Sequence, residues 1–525
     1  MRFGPLDTII LSLYLVIVAF IGFRVGRKEK ETTRDYFLAG SRLPWFAIGF
    51  SMVASSISTE QFIGEVGFAY SHGLAVVNWE WLNFPALSFL IWLFVPFYIR
   101  GKITTMPEFL ERRFGLAPRT IFAILTILTY TIVNLALVLY GGGLALNYIF
   151  NIPVWFWVVL LVAVTGAYTV YGGLTSVVWT DVFQAILLLC GGLTIFGIGI
   201  HKVGWDSMLS TGDRAHLILP ANHPAVPWPA LIALALSTNI WYFCTNQYIN
   251  QRVLGAKDEW HAKMGVVFSG FLGIFLGLSV AFPGLIAYAL NPNLSDPNQA
   301  YPFLITELLP PVLQGLLLAA LVSAIMSTIS SLVNSTATVF TIDIYQRFSK
   351  NQRSEKHFVR VGQFAGAGVL LLGMVCVPLV QLWEHIFAYV QEVWILLAGP
   401  TVAVYLVGIL WRKATNTAAT ITMALSFPLS VIPFVQKIYP FLPDPISNIF
   451  VLGVFVLIGS LILMVIISIF SKSESYEKIK DLYFKKSMFR LPPEVAGLRK
   501  RWYQRIGVWW VVYVAIFIMI YIILW

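Results

Sequence analysis

Leu316–Ile342 reads LLLAALVSAIMSTISSLVNSTATVFTI. The stretch is long enough to cross a bilayer and carries no charged residue, yet nine of its positions are Ser or Thr: Ser323, Ser327, Thr328, Ser330, Ser331, Ser335, Thr336, Thr338 and Thr341, with Asn334 among them. In hydrocarbon a hydroxyl without a partner costs several kcal/mol, so this density implies close helix packing, a polar cavity or an ion to coordinate.

The rest of the chain sets that stretch in a membrane. Of 525 residues, 58% are hydrophobic and only 11% charged, whereas a soluble protein has about 25% charged residues. Uncharged runs of spanning length recur along the whole sequence. We expect an all-α polytopic membrane protein of about fourteen spans, roughly at 5-24, 43-69, 73-99, 119-148, 154-172, 175-200, 228-251, 264-290, 313-344, 359-383, 384-411, 416-437, 447-471 and 506-525. No soluble domain interrupts them, so 1-525 reads as a single transmembrane unit whose function lies between its helices.

The formal charge of +10 could suggest a nucleic-acid partner, but its placement answers otherwise. Loops after the odd-numbered spans, with the span ends that border them, hold 31 of the 35 Lys and Arg; the opposite side has Arg2, Lys202, Arg214 and Lys437. The positive-inside rule then puts the basic loops in the cytoplasm and both termini outside, in a multi-pass protein of the plasma or inner membrane. The basicity orients the protein in its lipid bilayer; no nucleic acid is implied. The first apolar run lacks a basic leader and a small-residue cleavage site, and reads as a retained helix. Cys190, Cys244 and Cys376 all fall within spans and make no disulfide framework.

Two spans have polar centres where a stable helix should be apolar. The second contains Ala54-Ser55-Ser56-Ile57-Ser58-Thr59-Glu60-Gln61, and the seventh Ser237-Thr238-Asn239-Ile240-Trp241-Tyr242-Phe243-Cys244-Thr245-Asn246-Gln247. They lie five spans apart, so they enter the membrane from opposite sides. That is the pattern of an inverted repeat of five helices whose first members are broken near the midplane. The repeats would cover 43-200 and 228-411, with 5-24, 416-437, 447-471 and 506-525 peripheral.

Assigning every Lys and Arg to loops or span ends leaves no fixed cation in the membrane core. Acids do enter it: Glu60, Glu65, Glu80, Asp181 and Glu392 fall in or near spans, where carboxylates usually face a cavity or a cation. Such a core suits sodium or protons and disfavours a strongly anionic substrate. Sodium takes about five or six oxygen ligands, as hard cations do. Ser327 and Thr328 stand three and four residues after Ala324, so two hydroxyls and a carbonyl converge on one helical face, and Ala54 and Ile57 are three apart at the break in span 2. A Ser/Thr-rich helix also satisfies itself by back-bonding and packing, and spacing alone leaves both readings open.

Several longer motifs occur in a fixed order: Asp35-Tyr36-Phe37-Leu38-Ala39-Gly40, Glu60-Gln61-Phe62-Ile63-Gly64, Tyr171-Gly172-Gly173-Leu174, Val178-Trp179-Thr180-Asp181 and Asn334-Ser335-Thr336-Ala337-Thr338 with Asp343-Ile344-Tyr345. With these the chain resembles the sodium/solute symporter family, in particular its bacterial sugar symporters, over nearly its whole length. The resemblance implies a leucine-transporter-type fold with a 5+5 inverted repeat and sodium as the coupling ion. It places the shared sodium site on the carbonyls of Ala54, Ile57 and Ala324 and the hydroxyls of Ser327 and Thr328. A second sodium site, used by members that couple two ions, would fall on Asp181, Ser330 and Ser331.

Family positions that hold sugar match Gln61, Glu80, Asn134, Asn239 and Gln391, with Tyr242 as the inner aromatic gate and Trp79 and Phe387 at the outer gate. Paired donors and acceptors with an aromatic face suit a polyol. This chain departs from the pattern at four places. Gly273 stands for a sugar-contacting Lys, Asn83 for a Ser, Ser56 for an Asn, and Glu65 for an apolar gate residue. Asn83 lies one helical turn from Glu80, where it could supply the donor that the Lys no longer gives.

The expected function is therefore sodium-coupled import of a small neutral sugar or related polyol by alternating access. Uptake of a carboxylate, amino acid or nucleoside on the same scaffold is the alternative. A membrane sensor would need an output domain, and none follows Trp525. An enzyme is not expected: the seven His are scattered, with no HExxH pair or nucleophile motif.

Overall fold

In a bilayer each backbone N–H and C=O must be satisfied within its own segment, and the apolar runs of this chain accordingly form helices. The computed structural model describes residues 5–27, 31–310, 312–349, 353–380, 386–443 and 446–524. Among these, eleven helices are long and apolar enough to cross a membrane. The helices that frame the site are α1 (Pro5–Gly26), α2 (Trp45–Ser56), α3 (Val66–His72), α4 (Val154–Val203), α5 (Gln247–Leu254), α6 (Glu259–Leu290), α7 (Leu313–Val339) and α8 (Ile386–Leu410).

The Ser/Thr-rich stretch is the centre of the molecule. α7 and its continuation to Gln346 are 94% buried over their most apolar window, against 17% for the helix Ile506–Ile523. α7 packs on α4, α1 and α2, while α6 packs on α2 and α4. Its hydroxyls avoid orphanhood partly by back-bonding: Ser323, Ser335, Thr336 and Thr338 each donate to the carbonyl four residues earlier, at 2.7 Å. Thr338 also accepts from Gln251 Nε2 at 2.8 Å, and Ser335 donates to Gln251 Oε1 at 2.9 Å, so one amide on α5 ties down the later part of α7.

Three of the departures from regular helix geometry position the site. α2 ends where Ile57 turns extended (φ −110°, ψ 126°), and the chain resumes as a π-helical turn, Glu60–Glu65, that runs into α3. The segment from Trp228 widens into π-helical turns at Leu234–Thr238 and Trp241–Thr245, breaks at Asn246 (φ −73°, ψ 128°), and restarts as α5. The two segments meet at one end: Leu43, just before α2, and Ala256, just after α5, form an isolated parallel bridge. The third irregularity is the bend of α4 at Gly173 (φ 59°, ψ −152°), which divides it into two spanning lengths. Only glycine adopts that conformation freely, and a Cβ there would lie 2.3 Å from the carbonyl oxygen of Tyr36. Tyr36 in turn donates its hydroxyl to the Val170 carbonyl at 2.8 Å, so two motifs of the sequence pack on each other.

One expectation is corrected. The membrane core does contain a fixed cation: Arg252 is fully buried. Hydropathy puts it at the end of a span, but the break at Asn246 restarts a helix inside the protein and carries Arg252 inward on α5. The three cysteines are free, with Cys190 exposed.

Candidate ion and substrate site

The break after α2 lies against the middle of α7. Ser327 Oγ donates to the Ala54 carbonyl at 2.8 Å and reaches the Ala324 carbonyl at 3.1 Å; Thr328 Oγ1 meets the Ile57 carbonyl at 2.8 Å and the same Ala324 carbonyl at 3.1 Å. Five oxygens from Ala54, Ile57, Ala324, Ser327 and Thr328 thus converge, and all five residues are buried. The Ala54 and Ile57 carbonyls are available because the turn at Ile57 ends the helix before the N–H groups that would usually donate to them. A cluster of uncharged oxygens without nitrogen fits a hard monovalent cation.

Asp181, Ser330 and Ser331 are arranged differently. Asp181 Oδ2 accepts from Ser51 (2.6 Å), Ser55 (3.2 Å) and Arg252 Nη2 (3.2 Å). Arg252 also donates from Nε to Ser51 at 2.8 Å and from Nη2 to Ser331. Ser331 and Ser55 exchange a hydrogen bond at 2.9 Å. Asp181 and Ser331 therefore come together around a guanidinium, while Ser330 turns to its own helix and donates to the Ser327 carbonyl at 2.9 Å. Ser51, Ser55 and Arg252 are absent from the residues expected from sequence. The signal for the serines is their four-residue spacing, which puts both on one face of α2.

The polar residues expected to hold substrate surround two small cavities beside the break. Gln61 and Tyr242 line both; Asn134 lines one, and Trp79, Glu80, Asn239 and Gln391 line the other. Gln61 also stabilises the break, because its Oε1 accepts from the Ser58 amide (2.7 Å) and hydroxyl (3.2 Å). Gln391 Nε2 donates to Glu60 Oε1 at 2.8 Å, and Asn239 Nδ2 to the Leu82 carbonyl at 3.0 Å. Trp394 lines both cavities, donates to Asn134 Oδ1 at 3.1 Å, and lies 5.5 Å from the Tyr242 ring. It too was not expected, although it stands one helical turn beyond Gln391.

The gate positions divide. Trp79 packs edge-on against Phe68 and Phe450. The side chain of Phe387 lies outside the described residues. Asn83 is not among the residues that line the two cavities; it stands beside Gly273, where a Cβ would have Asn83 Nδ2 as its neighbour at 3.7 Å. Asn83 Oδ1 accepts from Tyr513 at 3.5 Å.

A model of the sodium:solute symporter family matches residues 36–426. The chain belongs to this family. The symporter is 35% identical over 471 residues to the sodium/glucose cotransporter of Vibrio parahaemolyticus, covering 83% of this chain and 87% of that one. It is 32% identical over 463 residues to the sodium/myo-inositol cotransporter of Mus musculus, covering 79% of this chain and 64% of the relative's length. Its fold matches a sodium-coupled sialic acid symporter solved in a substrate-bound outward-open state, with a TM-score of 0.77 at 24% identity over 90% of this chain and all of that one. A likeness to the nucleobase-cation-symport transporter Mhp1 has a TM-score of 0.55 at 15% identity over 86% of this chain and 98% of that one. The symporter is thus a multi-pass membrane protein that couples solute movement to sodium, and not an enzyme.

Proposed function

We propose that this symporter imports a neutral sugar or related polyol together with one sodium ion. The observation that carries the reading is the adjacency of the five-oxygen cluster to a cavity lined by Gln61, Glu80, Asn239, Tyr242 and Gln391 across the same helix break. Sodium between the broken helix and α7 orders the residues after Ile57, Gln61 among them, so ion and solute stabilise one another's site. Amides and carboxylates read hydroxyls, and the aromatic rings of Tyr242 and Trp394 cover the apolar side of a sugar ring. The printed functions of the Vibrio and mouse relatives, glucose and myo-inositol cotransport, support the same chemical class.

The buried Arg252 favours a neutral solute and a single ion. It is turned to Asp181, Ser51 and Ser331, and among the described residues that line the two cavities there is no Lys or Arg to meet a carboxylate substrate. It also supplies the positive charge that a second sodium would bring to Asp181. One charge crossing 100 mV contributes about 2.3 kcal/mol, and each tenfold solute gradient costs about 1.4 kcal/mol, so one ion supports substantial accumulation.

Counting bent α4 as two spans and the two interrupted segments as one each brings eleven long helices to fourteen. The meeting of Leu43 and Ala256 supports the inverted repeat, since α2 begins where α5 ends. Both termini would then lie outside. Uptake of labelled glucose, galactose and myo-inositol into proteoliposomes, beside amino acids and organic acids, with and without sodium, tests the proposal. Sodium-independent transport, or transport of amino acids alone, defeats it.

A further inference from the structure

Where α2 begins and α5 ends, a polar cavity of about 370 Å³ opens on the face that the positive-inside pattern assigns to the cytoplasm. None of the ion or substrate residues described so far lines it. Its walls come from three segments: Thr33, Arg34 and Ser41 before α2, Lys257 after α5, and Lys102 and Thr104 in the turn that follows Arg100. The first two walls form one unit, because the Leu43 amide donates to the Gly255 carbonyl at 3.0 Å and the Lys257 amide to the Leu43 carbonyl at 3.1 Å. Gly255 is pressed so close that a Cβ on it would lie 2.9 Å from the Leu38 carbonyl oxygen.

The basic residues around this cavity fall into two groups. Arg42 pairs with Asp35 at 3.6 Å, Arg100 with Glu259 at 2.7 Å, Arg499 with Asp258 at 3.6 Å, and Arg112 with Glu108. Arg34, Lys102 and Lys257, the three that line the cavity, make no ion pair among the described residues; Arg34 Nε donates only to the Ser41 hydroxyl, at 3.1 Å. The acid on the lining, Asp258, is already engaged by the His261 amide at 2.8 Å and by Arg499. Glu355, which does not line the cavity, accepts the Thr33 amide at 2.8 Å. Three cations held in one concavity repel each other, and an anion that they share relieves that repulsion. A guanidinium, two ammonium groups and the hydroxyls of Thr33, Ser41 and Thr104 suit the several acceptor oxygens of a phosphate dianion. The volume exceeds that of phosphate itself and falls in the range of small-molecule sites, about 300–1,000 Å³, so an organic remainder fits beside Leu38, Tyr98 and Ile103.

We propose that this cavity binds a phosphomonoester presented at the cytoplasmic face, with Arg34, Lys102 and Lys257 on its phosphate oxygens. An occupied site ties the joined ends of α2 and α5 to the turn after Arg100. It binds best to the arrangement in which the three cations stand together, and so restrains the two interrupted segments whose rearrangement transport requires. The binding site does not rest on the sugar reading.

Calorimetric titration of the purified, sodium-loaded symporter with glycerol 3-phosphate reads the site without any transported solute. Saturable binding is expected, with none for glycerol. Lys102→Gln and Lys257→Gln, both at exposed positions, should each weaken binding roughly tenfold, as the loss of one charge-assisted contact does. The double variant should abolish it at an unchanged melting temperature, while Lys202→Gln, on the opposite side of the membrane, should bind as the wild type does. No saturable binding by the wild type, or unchanged affinity in the double variant, overturns the proposal. The same titration in phosphatidylcholine nanodiscs with and without phosphatidic acid separates two sources of the group. Competition by phosphatidic acid makes the ligand a lipid headgroup, unchanged affinity makes it a soluble ester, and either result upholds the site. In proteoliposomes, glycerol 3-phosphate on both sides should lower sodium-dependent uptake of whichever of glucose, galactose or myo-inositol is carried, and leave the double variant unaffected. Equal wild-type uptake with and without the ester overturns the restraint. If none of these solutes is carried, the sugar reading fails, and the titration alone judges the cavity.

Discussion

At the scale of single residues, Ser327 and Arg252 carry the largest consequences. Ser327 donates its hydroxyl to the Ala54 carbonyl in the five-oxygen cluster proposed to hold sodium, so its removal would cost that site an oxygen ligand and leave the rest of the cluster in place. A hydroxyl that interacts with a charge contributes about 1.5–3 kcal/mol, so Ser327→Ala should raise the sodium concentration for half-maximal uptake by roughly 10–100-fold. An unchanged sodium dependence would refute the cluster as the coupling site. Arg252→Gln tests a different matter. It leaves Asp181 buried without its cation, which typically costs about 3–5 kcal/mol, and the purified variant should unfold at a clearly lower temperature. Adding Asp181→Asn removes the orphan charge and should recover much of that loss; equal stability of Arg252→Gln and wild type would show that the pair carries no such burden. Neither effect is visible in residue order alone. Ser327 and Thr328 are legible because their spacing from Ala324 is local, whereas Arg252 reaches Asp181 across 71 residues through a helix break that hydropathy does not register.

At the scale of elements, departures from ideal helix geometry decide where function sits. Polar runs in the sequence mark both interrupted segments, because an unwound backbone in a membrane needs Ser, Thr, Asn or Gln to satisfy what the helix no longer does. The Gly172-Gly173 pair marks the bend of α4 for a steric reason. Gly173→Ala forces a side chain into a conformation that costs about 1–3 kcal/mol and drives its Cβ into the Tyr36 carbonyl. The variant should give a lower melting temperature in detergent and weaker sodium-dependent uptake; wild-type values for both would mean that the bend is not required. The sequence cannot tell which amides of such segments face inward. Asn83 illustrates the limit: its spacing from Glu80 suggests the cavity, yet its amide stands beside Gly273 and it is not among the residues that line the two cavities.

For the whole molecule, the buried ion pair and the five-oxygen cluster together lead to one prediction about energetics. Transport should move one net charge per neutral solute, measured as the ratio of charge to labelled solute in voltage-clamped proteoliposomes. A ratio of two would require a second ion and would contradict Arg252 as the resident cation. The membrane class and the order of the motifs follow directly from composition and from long sequence matches, since lipid imposes long apolar runs on any fold that crosses it. What the chain order hides is how distant pieces meet. The hydrogen bond between Ser327 and the Ala54 carbonyl joins residues 273 apart. Synthesis proceeds at roughly 5–20 residues per second, so the polar break after α2 waits about 14–55 s in the nascent protein before its partner helix exists. During that interval its exposed carbonyls must be sheltered by water, by lipid headgroups or by the insertion machinery, which makes the proposed ion site one that cannot close until α7 has been made and a sensitive point in biogenesis.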